Sequence, residues 1–584
     1  MTRLADNVPP SLPSRSKDRL LLAALLLLTA LSYAGTLGFD FVSDDHLAIA
    51  QNPNVSSWKY LPGYFSTHLW SQVPSMPSRY YRPFLLTWFL ANRSLFGLHP
   101  GLFHAASVLA HLLAVWLVYA LAARLLADRP SALAAALVFA LHPVHVESVA
   151  WISAACDLLV TVFFLGACLS YLRAAEEPSR RGRWMALALL LFAGALLSKE
   201  IAVVLPALVF LYVYFKAGSL GWPRRCADGF KAALPFLALT ALFLGLRARA
   251  LGSASGEQTP IALPTVLYTA PGLLVSYLRL LAWPVNLSPH YEFPYVTVPG
   301  TSDFFLPVGI LLLGATAVWL WSARVRDWRI ALAAFTLLLP LAPALNSRWL
   351  SDDDVVHDRY LYLSSVGFAL LVALAWRALE NRLPQRFRPL LPGLLLIAGL
   401  AMALATARQS FFWKNDIALY SRAVQVAPRN FKARMNLAGA YRIEGRLPEA
   451  IAQYEQAVAL QPSFLSTFSL GLTYSQAGDL PQAERYFRWT IALEPRVSET
   501  YVRLGMVRIA RNDAPEAEQL FRAALAISPM APGYHFALGM ALAEQGKDDA
   551  ALAAFSEELR LHPNQPVVQE TMRKLRERRQ TSGR

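Results

Sequence analysis

The sequence predicts an all-α protein, in which a polytopic membrane bundle of about eleven transmembrane helices precedes an α-helical solenoid. Apolar runs follow one another up to about residue 408, and the rest of the 584 residues has the composition of soluble helix with a period of about 34 residues. The whole chain is 55% hydrophobic and only 16% charged, whereas a soluble domain carries about 25% charged residues. Much of the chain is therefore expected to have lipid as its solvent.

Each apolar run is judged by its length, because a helix needs about 20 apolar residues to cross a bilayer. The first run lacks a small-residue cleavage site, so we expect an uncleaved helix after a cytoplasmic tail, 1–19, rather than a signal peptide. A further segment, 263–283, is interrupted by Pro264 and Pro271 and carries Arg279, so its role is ambiguous. The candidate spans are 20–37, 102–123, 131–150, 157–173, 184–198, 201–215, 232–249, 304–322, 329–345, 360–376 and 389–407.

The charged residues indicate how these helices are oriented. The net charge is +15, but the basic residues fall in short clusters between apolar runs, which is typical of topology signals rather than of a nucleic-acid-binding surface. If 263–283 does not cross, these clusters share one side with the basic N-terminus. The opposite side then holds Asp44, Asp45, Glu257, Glu292, Asp303 and the run Asp352-Asp353-Asp354. The positive-inside rule predicts a cytoplasmic N-terminus, external repeats and an interfacial or re-entrant 263–283 segment.

The region after the last span carries residues at fixed offsets within each repeat. The second full unit, for example, has Leu470, Gly471, Tyr474, Gly478, Ala483, Phe487 and Pro495. This is the pattern of tetratricopeptide (TPR) repeats, which we expect over 409–565, with a capping helix and tail at 566–584. Such arrays bind an extended peptide or a partner helix on their concave face. A rigid spacer or an assembly module is the alternative.

The loop that follows the first span, 38–101, opens with the string FVSDDHLAI. Asp44 and Asp45 are therefore predicted next to the membrane interface, where carboxylates are costly and usually functional. For sugar transfer onto a hydroxyl, one carboxylate could take the acceptor proton while the other orients the acceptor or holds a cation. A solvated helix cap is the simpler alternative.

The string HPVHVESVAW ends the third span and contains His142, His145 and Glu147. Two of them, His145 and Glu147, could bind a divalent cation together with Asp44 or Asp45. We favour a buried hydrogen-bonded network that supports the first loop, and predict no resident metal.

Three cations are predicted at the outer ends of spans: Arg82, Lys199 and Arg359. Any of them could bind the phosphate of a lipid carrier, because cations stabilise a phosphate leaving group. The alternative is that they only extend towards the membrane interface, as long basic side chains do.

Five strings occur in order along the membrane domain, 20–408: FVSDDHLAIAQNPNV at 41–55, YYRPFLLTWFLANRSLFGLHPGLFH at 80–104, HPVHVESVAWIS at 142–153, LLSKE at 196–200 and HDRYLYLSSVGF at 357–368. With the repeats that follow, the chain resembles the transmembrane and tetratricopeptide-repeat-containing (TMTC) proteins and their bacterial relatives, of the GT-C glycosyltransferase superfamily. Two departures from the family pattern stand out. Ala154-Ala155-Cys156 replaces a frequent arginine, and Ser364 replaces a frequent proline.

The resemblance implies transfer of mannose from a polyprenyl-phosphate carrier to Ser or Thr of exported proteins. It implies Asp44 as the general base and Asp45 as its partner, although the two could exchange roles. The TPR array would bind the acceptor polypeptide.

Other functions stay open. The same fold could glycosylate a glycan or a lipid, or the chain could be a non-enzymatic membrane-anchored scaffold for envelope assembly. Anchoring alone, however, needs far fewer than about eleven spans. An ion or solute transporter is disfavoured because the membrane half shows no internal duplication. Arginine exceeds lysine and Ala and Leu dominate, which suggests a GC-rich bacterial genome, an inner-membrane location and a periplasmic TPR domain.

Overall fold

The computed structural model describes residues 15–72, 80–218, 220–252, 261–346 and 355–582. Over these ranges the chain is helical and contains no β-strand, which confirms the predicted fold class. The chain divides into two compact units, Met1–Val426 and Ala427–Arg584. The first unit extends beyond residue 408 and includes the helix that follows the last predicted span. The predicted acidic residues Glu257 and Asp352-Asp353-Asp354 lie outside the described ranges.

The first unit contains long helices, several short helices and the segments that connect them. Its α-helices are α1 (Arg15–Ser32), α2 (Leu61–Tyr64), α3 (Pro83–Phe96), α4 (Pro100–Leu126), α5 (Arg129–Leu141), α6 (Val146–Ala150), α7 (Ala155–Glu176), α8 (Arg181–Ser198), α9 (Leu205–Lys216), α10 (Trp222–Leu251), α11 (Leu263–Ala282), α12 (Leu306–Val325), α13 (Trp328–Leu338), α14 (Ala342–Leu345), α15 (Leu361–Arg382), α16 (Leu390–Ser410) and α17 (Asp416–Val426). Turns of 3-10 helix at Pro143–His145, Ile152–Ala154, Glu200–Val204 and Asp358–Tyr360 precede α6, α7, α9 and α15.

Ten helical segments of the described chain are long and apolar enough to cross a membrane, judged by length and composition. An eleventh is added if α5 and the Pro143–Ala150 segment, which bend by 50° at their junction, form one broken span. Pro143 explains the bend, because its ring excludes a helical hydrogen bond. The number agrees with the prediction, but the set differs. The predicted span at 201–215 is a 3-10 turn followed by the 12 residues of α9, whereas α11 has the length of a span.

Three hydrogen bonds join α11, which corresponds to the ambiguous segment 263–283, to other segments of the first unit. Thr269 Oγ1 accepts a hydrogen bond from Val296 N at 3.0 Å, and Tyr277 OH donates to Val355 O at 3.0 Å. Near its C-terminal end, Leu281 O accepts from His142 Nε2 at 2.9 Å. The partners lie in connecting segments or at a helix end, at one end of the bundle. These contacts join α11 to other parts of the first unit, and because α11 also has the length and composition of a span, its placement at the membrane interface stays a prediction.

The opposite end of the bundle collects basic residues. Arg129 pairs with Asp18 at 2.8 Å, and both Arg329 and Arg377 donate to Leu126 O at 3.0 Å. We call this the basic end. Lys199 lies at the far end of α8, and Arg82 and Arg359 lie at the same end as Lys199. Basic residues of three predicted clusters therefore meet at the basic end, and the assignment of the two ends to the two sides of a membrane stays a prediction.

The second unit consists of paired helices that follow the repeat pattern. They are α18 (Phe431–Ile443), α19 (Leu447–Leu460), α20 (Phe464–Gln476), α21 (Leu480–Leu493), α22 (Ser498–Ala510), α23 (Ala514–Ile527), α24 (Tyr534–Glu544), α25 (Asp548–Leu561) and α26 (Pro566–Ser582). A Cβ added at Gly471 would lie 2.9 Å from the ring of Phe487, and one at Gly505 would lie 2.5 Å from the ring of Phe521. The small residue of each first helix thus gives the aromatic of the second helix its space, as the repeat pattern predicts.

Candidate active site

The acidic pair lies in the segment that connects the first span to a short π-helix, His46–Ala50. Asp45 is fully buried. Its Oδ1 accepts from Ser153 N at 2.8 Å and from Ser153 Oγ at 2.5 Å, and its Oδ2 accepts from Val42 N at 3.2 Å. Asp44, in contrast, is exposed. Two neighbouring carboxylates therefore have opposite environments.

These environments suggest different roles for the two carboxylates. Burial raises the pKa of Asp45 to about 7, although the hydrogen bonds from Ser153 and Val42 act in the opposite direction. Both Asp45 oxygens are held by donors of the protein. Asp44 is the carboxylate that a substrate can approach. The geometry thus suits Asp44 for proton transfer and Asp45 for holding the loop.

A third aspartate, which the sequence did not single out, holds the same loop. Asp416 is the first residue of α17, and its Oδ1 accepts from Ser43 N at 2.8 Å. Its Oδ2 accepts from His46 Nε2 at 2.9 Å. The available sequence signal was an acidic residue soon after the last span, which by itself is ordinary.

A cavity of about 320 Å³ lies at the same end of the bundle and brings two of the three predicted cations together. Arg82 and Lys199 line it, with Arg247 as a further cation. Aromatic, aliphatic and acidic side chains complete its wall; among them are Tyr80, Leu244, Pro340, Tyr360 and Glu200. Arg359 is not part of the lining, although its neighbour Tyr360 is.

Arg82 is fixed by a bidentate ion pair. Its Nε lies 3.1 Å from Glu200 Oε2 and its Nη2 lies 2.6 Å from Glu200 Oε1, while the guanidinium is 4.3 Å from the ring centre of Tyr80. Burial alone would raise the pKa of Glu200, but Arg82 outweighs it and lowers the pKa to about 2. Both partners are therefore charged at neutral pH. Glu200 accepts from only two of the five N–H donors of the guanidinium.

Lys199 is held by a carboxylate from α7. Its Nζ lies 2.6 Å from Asp157 Oδ1, and both side chains are almost completely buried. The preceding residue, Cys156, places its Sγ 3.6 Å from Arg82 Nη1. Ser153 belongs to the same stretch and binds Asp45. Segment 153–157 therefore connects the acidic loop to Arg82 and Lys199.

The remaining predicted residues, His142, His145, Glu147 and Arg359, are bound to several elements of the bundle, and the rings of His142 and His145 lie 6.0 Å apart. Glu147 is buried and accepts from Arg359 N at 3.0 Å and from the Arg359 guanidinium. His142 donates to α11, as described above, and His145 Nε2 lies 2.8 Å from Ser365 Oγ in α15. Each residue fixes a different element. Over the described ranges no three His, Cys, Asp or Glu residues form a group that could hold a metal ion, and this includes the set considered from the sequence.

Comparison with protein families gives two matches. Residues 81–244 match a model described as dolichyl-phosphate-mannose-protein mannosyltransferase. Residues 417–463, 468–532 and 503–566 match a tetratricopeptide repeat model. The first match contains Arg82, Asp157, Lys199 and Glu200. The second match begins at the residue that follows Asp416.

Among curated proteins, the chain is similar to the protein O-mannosyl-transferase TMTC3 of Mus musculus, at 27% identity over 77% of this chain and 52% of that protein. It is also similar to the protein O-mannosyl-transferase TMTC1 of Homo sapiens, at 27% identity over 76% of this chain and 56% of that protein. The predicted resemblance to the TMTC proteins is thereby confirmed. The chain spans about half the length of these curated relatives.

Among solved structures, the chain is similar to the crystal structure of MamA, at 22% identity over 25% of this chain and 86% of that chain, with a TM-score of 0.25. It is also similar to YrrB, described as a TPR protein with an unusual peptide-binding site, at 16% identity over 34% of this chain and 96% of that chain, with a TM-score of 0.25.

Proposed function

We propose that the protein transfers a sugar, with mannose as the expected one, from a polyprenyl-phosphate carrier to Ser or Thr hydroxyls of exported proteins. The observation that carries this proposal is the cavity lined by Arg82 and Lys199, which segment 153–157 connects to the loop of Asp44 and Asp45. The match of residues 81–244 to a mannosyltransferase family and the similarity to TMTC relatives support the same reaction.

In the proposed reaction Asp44 acts as the general base. It removes the proton of the acceptor hydroxyl as the oxygen attacks C1 of the sugar from the side opposite the phosphate. A new bond forms between the acceptor oxygen and C1, and the bond between C1 and the phosphate oxygen breaks. The configuration at C1 is inverted. Asp45 does not exchange protons with the substrate in this scheme; it keeps the loop in place through Ser153 and Val42.

The cations act on the leaving group. The lipid phosphate departs with the electron pair of the broken bond, and Arg82 and Lys199 stabilise its charge. Although both cations are paired, each keeps N–H donors beyond those that its carboxylate accepts. Pairing also holds the cations in place before the donor binds, which lowers the cost of reorganisation. Arg359 contributes indirectly, because its pairing with Glu147 fixes the chain next to Tyr360.

The TPR array is proposed to bind the acceptor polypeptide. Large apolar side chains are exposed on the first helices of three successive repeats: Ile443, Leu465 and Met506. Although the three residues occupy different positions within their helices, exposed apolar side chains on successive repeats offer an extended peptide apolar contacts.

The test compares glycopeptides of the host's envelope and exported proteins by mass spectrometry. Three strains are needed: wild type, deletion, and deletion complemented with Asp44→Asn. We expect a hexose on Ser or Thr that is lost in the deletion and stays absent with the variant, while the variant protein accumulates normally in membranes.

The other outcomes discriminate between functions. A hexose that returns with Asp44→Asn would retain the transferase but refute Asp44 as its base. Identical glycoproteomes in all three strains would refute the protein acceptor. Extracted glycolipids and envelope glycans, compared in the same strains, would then separate glycan or lipid glycosylation from a non-enzymatic scaffold.

A further inference from the structure

The loop that carries Asp44 and Asp45 is held at both of its flanks by one side chain. Ser43 precedes the pair and donates its backbone N–H to Asp416 Oδ1, and His46 follows the pair and donates to Asp416 Oδ2. The partners are more than 350 residues apart in the sequence, so this contact exists only in the folded bundle.

The backbone at Ser43 needs such a restraint. Ser43 has a φ of +55°, in the left-handed region that residues with a side chain rarely adopt. A conformation of this kind persists only where the surroundings enforce it. The hydrogen bond from Ser43 N to Asp416 supplies that enforcement at the residue that immediately precedes Asp44.

Asp416 is itself firmly placed. Asp40 N donates to Lys414 O at 3.1 Å, and the rings of Trp151 and Trp413 stack with their centres 5.9 Å apart. Farther along α17, Arg422 Nε donates to Leu287 O at 3.1 Å. Residues on both sides of Asp416 are thus bound to other segments of the first unit.

We propose that Asp416 is a positioning residue for the acidic pair: it fixes the backbone at Ser43 and thereby sets the direction in which Asp44 projects. Asp416 itself contacts the protein and not the substrate. The helix that Asp416 begins, α17, is the last helix of the first unit, so the contact lies within that unit. The catalytic part of this inference rests on the proposed function; the structural part does not.

The structural part is tested by hydrogen–deuterium exchange on the purified full-length protein in detergent. Asp416→Ala is expected to raise the exchange rate of peptides covering residues 41–50 by at least ~10-fold, which corresponds to the loss of about 1.4 kcal/mol of protection. Asp416→Asn keeps an oxygen acceptor for Ser43 N and is expected to remain close to wild type. The inference is overturned if peptides 41–50 of Asp416→Ala exchange at the wild-type rate. It is also overturned if those of Asp416→Asn exchange as fast as those of Asp416→Ala.

A matched control excludes general destabilisation. Asp128 accepts a hydrogen bond from Ser131 N at 3.0 Å at the start of α5, near the basic end. Asp128→Ala removes a comparable contact and is expected to leave exchange of 41–50 unchanged. Equal effects of Asp128→Ala and Asp416→Ala on residues 41–50 would refute a specific role for Asp416.

The catalytic part is tested with membranes that contain each full-length variant, polyprenyl-phosphate mannose as donor and a Ser/Thr peptide as acceptor. Asp416→Ala is expected to lower kcat at least ~10-fold with an unchanged KM for the donor, and Asp416→Asn to restore most of kcat. A raised donor KM with unchanged kcat would refute the positioning role. If wild-type membranes transfer nothing, the proposed reaction fails while the exchange result still decides the role of Asp416.

Discussion

Lys199 and Asp157 form an ion pair of 2.6 Å in which both side chains are almost completely buried, at the junction between α8 and the cavity. The pair has two consequences. It brings a cation to the wall of a cavity that is mostly apolar, and it makes the stability of the bundle depend on both partners. Removing one partner of a buried pair leaves an uncompensated charge, which costs about 3–5 kcal/mol, whereas replacing both is often tolerated.

Lys199→Met is therefore expected to destabilise the protein strongly, and the double variant Lys199→Met/Asp157→Leu is expected to recover most of the loss. Thermal unfolding in detergent, followed by size-exclusion chromatography, measures both. The double variant should remain inactive if Lys199 also binds the donor phosphate. Equal melting temperatures for Lys199→Met and wild type would show that the pair does not stabilise the fold.

The close packing of α13 against α15 predicts that a larger side chain at Gly367 lowers the stability of the protein. A Cβ at Gly367 would lie 2.5 Å from Ala333 O and closer still to Leu337 N, and backbone atoms cannot move aside cheaply. Gly367→Ala is expected to cost about 1–3 kcal/mol or more. Gly393→Ala in α16 is the control, because nothing lies within 4 Å of its added Cβ. The same unfolding assay should show a loss for Gly367→Ala alone; a stable Gly367→Ala protein would contradict the observed helix contact.

Patterns in the sequence predicted the architecture well because apolar length and repeat period report on local structure. The repeat helices and the placement of Arg82 and Lys199 at the same end of the bundle follow from positions along single helices, whereas the break of the predicted span 131–150 at Pro143 did not appear among the predictions. The identity of each partner did not follow. Glu200 pairs with Arg82, Asp157 pairs with Lys199, and Asp416 binds the acidic loop. These contacts join segments that are distant in the sequence. A single sequence does not indicate which distant segments come into contact.

The difference between Asp44 and Asp45 was also beyond the sequence. Two adjacent acidic residues are indistinguishable as letters, and their roles were left exchangeable. Burial and the donors Ser153 and Val42 separate them in the structure. Arg359 lies at the expected end of a span, but it pairs with Glu147 and does not line the cavity.

The raised pKa of Asp45 predicts a pH dependence of stability. Its folded-state pKa of about 7 exceeds its ordinary value of 3.8, so the native state binds more protons between these pH values. Proton binding by Asp45 therefore adds to the free energy of unfolding, and this contribution is complete below pH 3.8. It is lost as the pH rises through 7, by up to about 1.4 kcal/mol per pH unit. Melting temperatures from pH 5 to 8 should therefore fall more for wild type than for Asp45→Asn. Parallel curves for the two proteins would refute the shift.

The exposed apolar residues of the repeats are proposed to bind the acceptor polypeptide, so changing them should lower transfer without destabilising the protein. Leu465→Glu/Met506→Glu is expected to lower the hexose occupancy of exported proteins several-fold without changing the melting temperature, because both residues are exposed. Met530→Glu, on an exposed residue between α23 and α24, is the control. Quantitative glycopeptide mass spectrometry compares the three. Equal occupancy in all of them would argue against acceptor binding through Leu465 and Met506.

Changing Asp44 to asparagine should abolish transfer, whereas changing Asp45 to asparagine should mainly lower the stability of the protein. Asp44→Asn keeps the hydrogen bonds that Asp45 and Asp416 make to the loop, so normal protein levels and a melting temperature near wild type are expected together with loss of the hexose. Asp45→Asn removes an acceptor for Val42 N or Ser153, which costs about 1–3 kcal/mol for a buried donor left unsatisfied. It should lower the melting temperature and retain part of the transfer in the protein that folds. Asp303→Asn, an exposed carboxylate predicted on the same face, should behave like wild type in both assays. Full transfer by Asp44→Asn with loss in Asp45→Asn would reverse the assignment and make the buried residue the base.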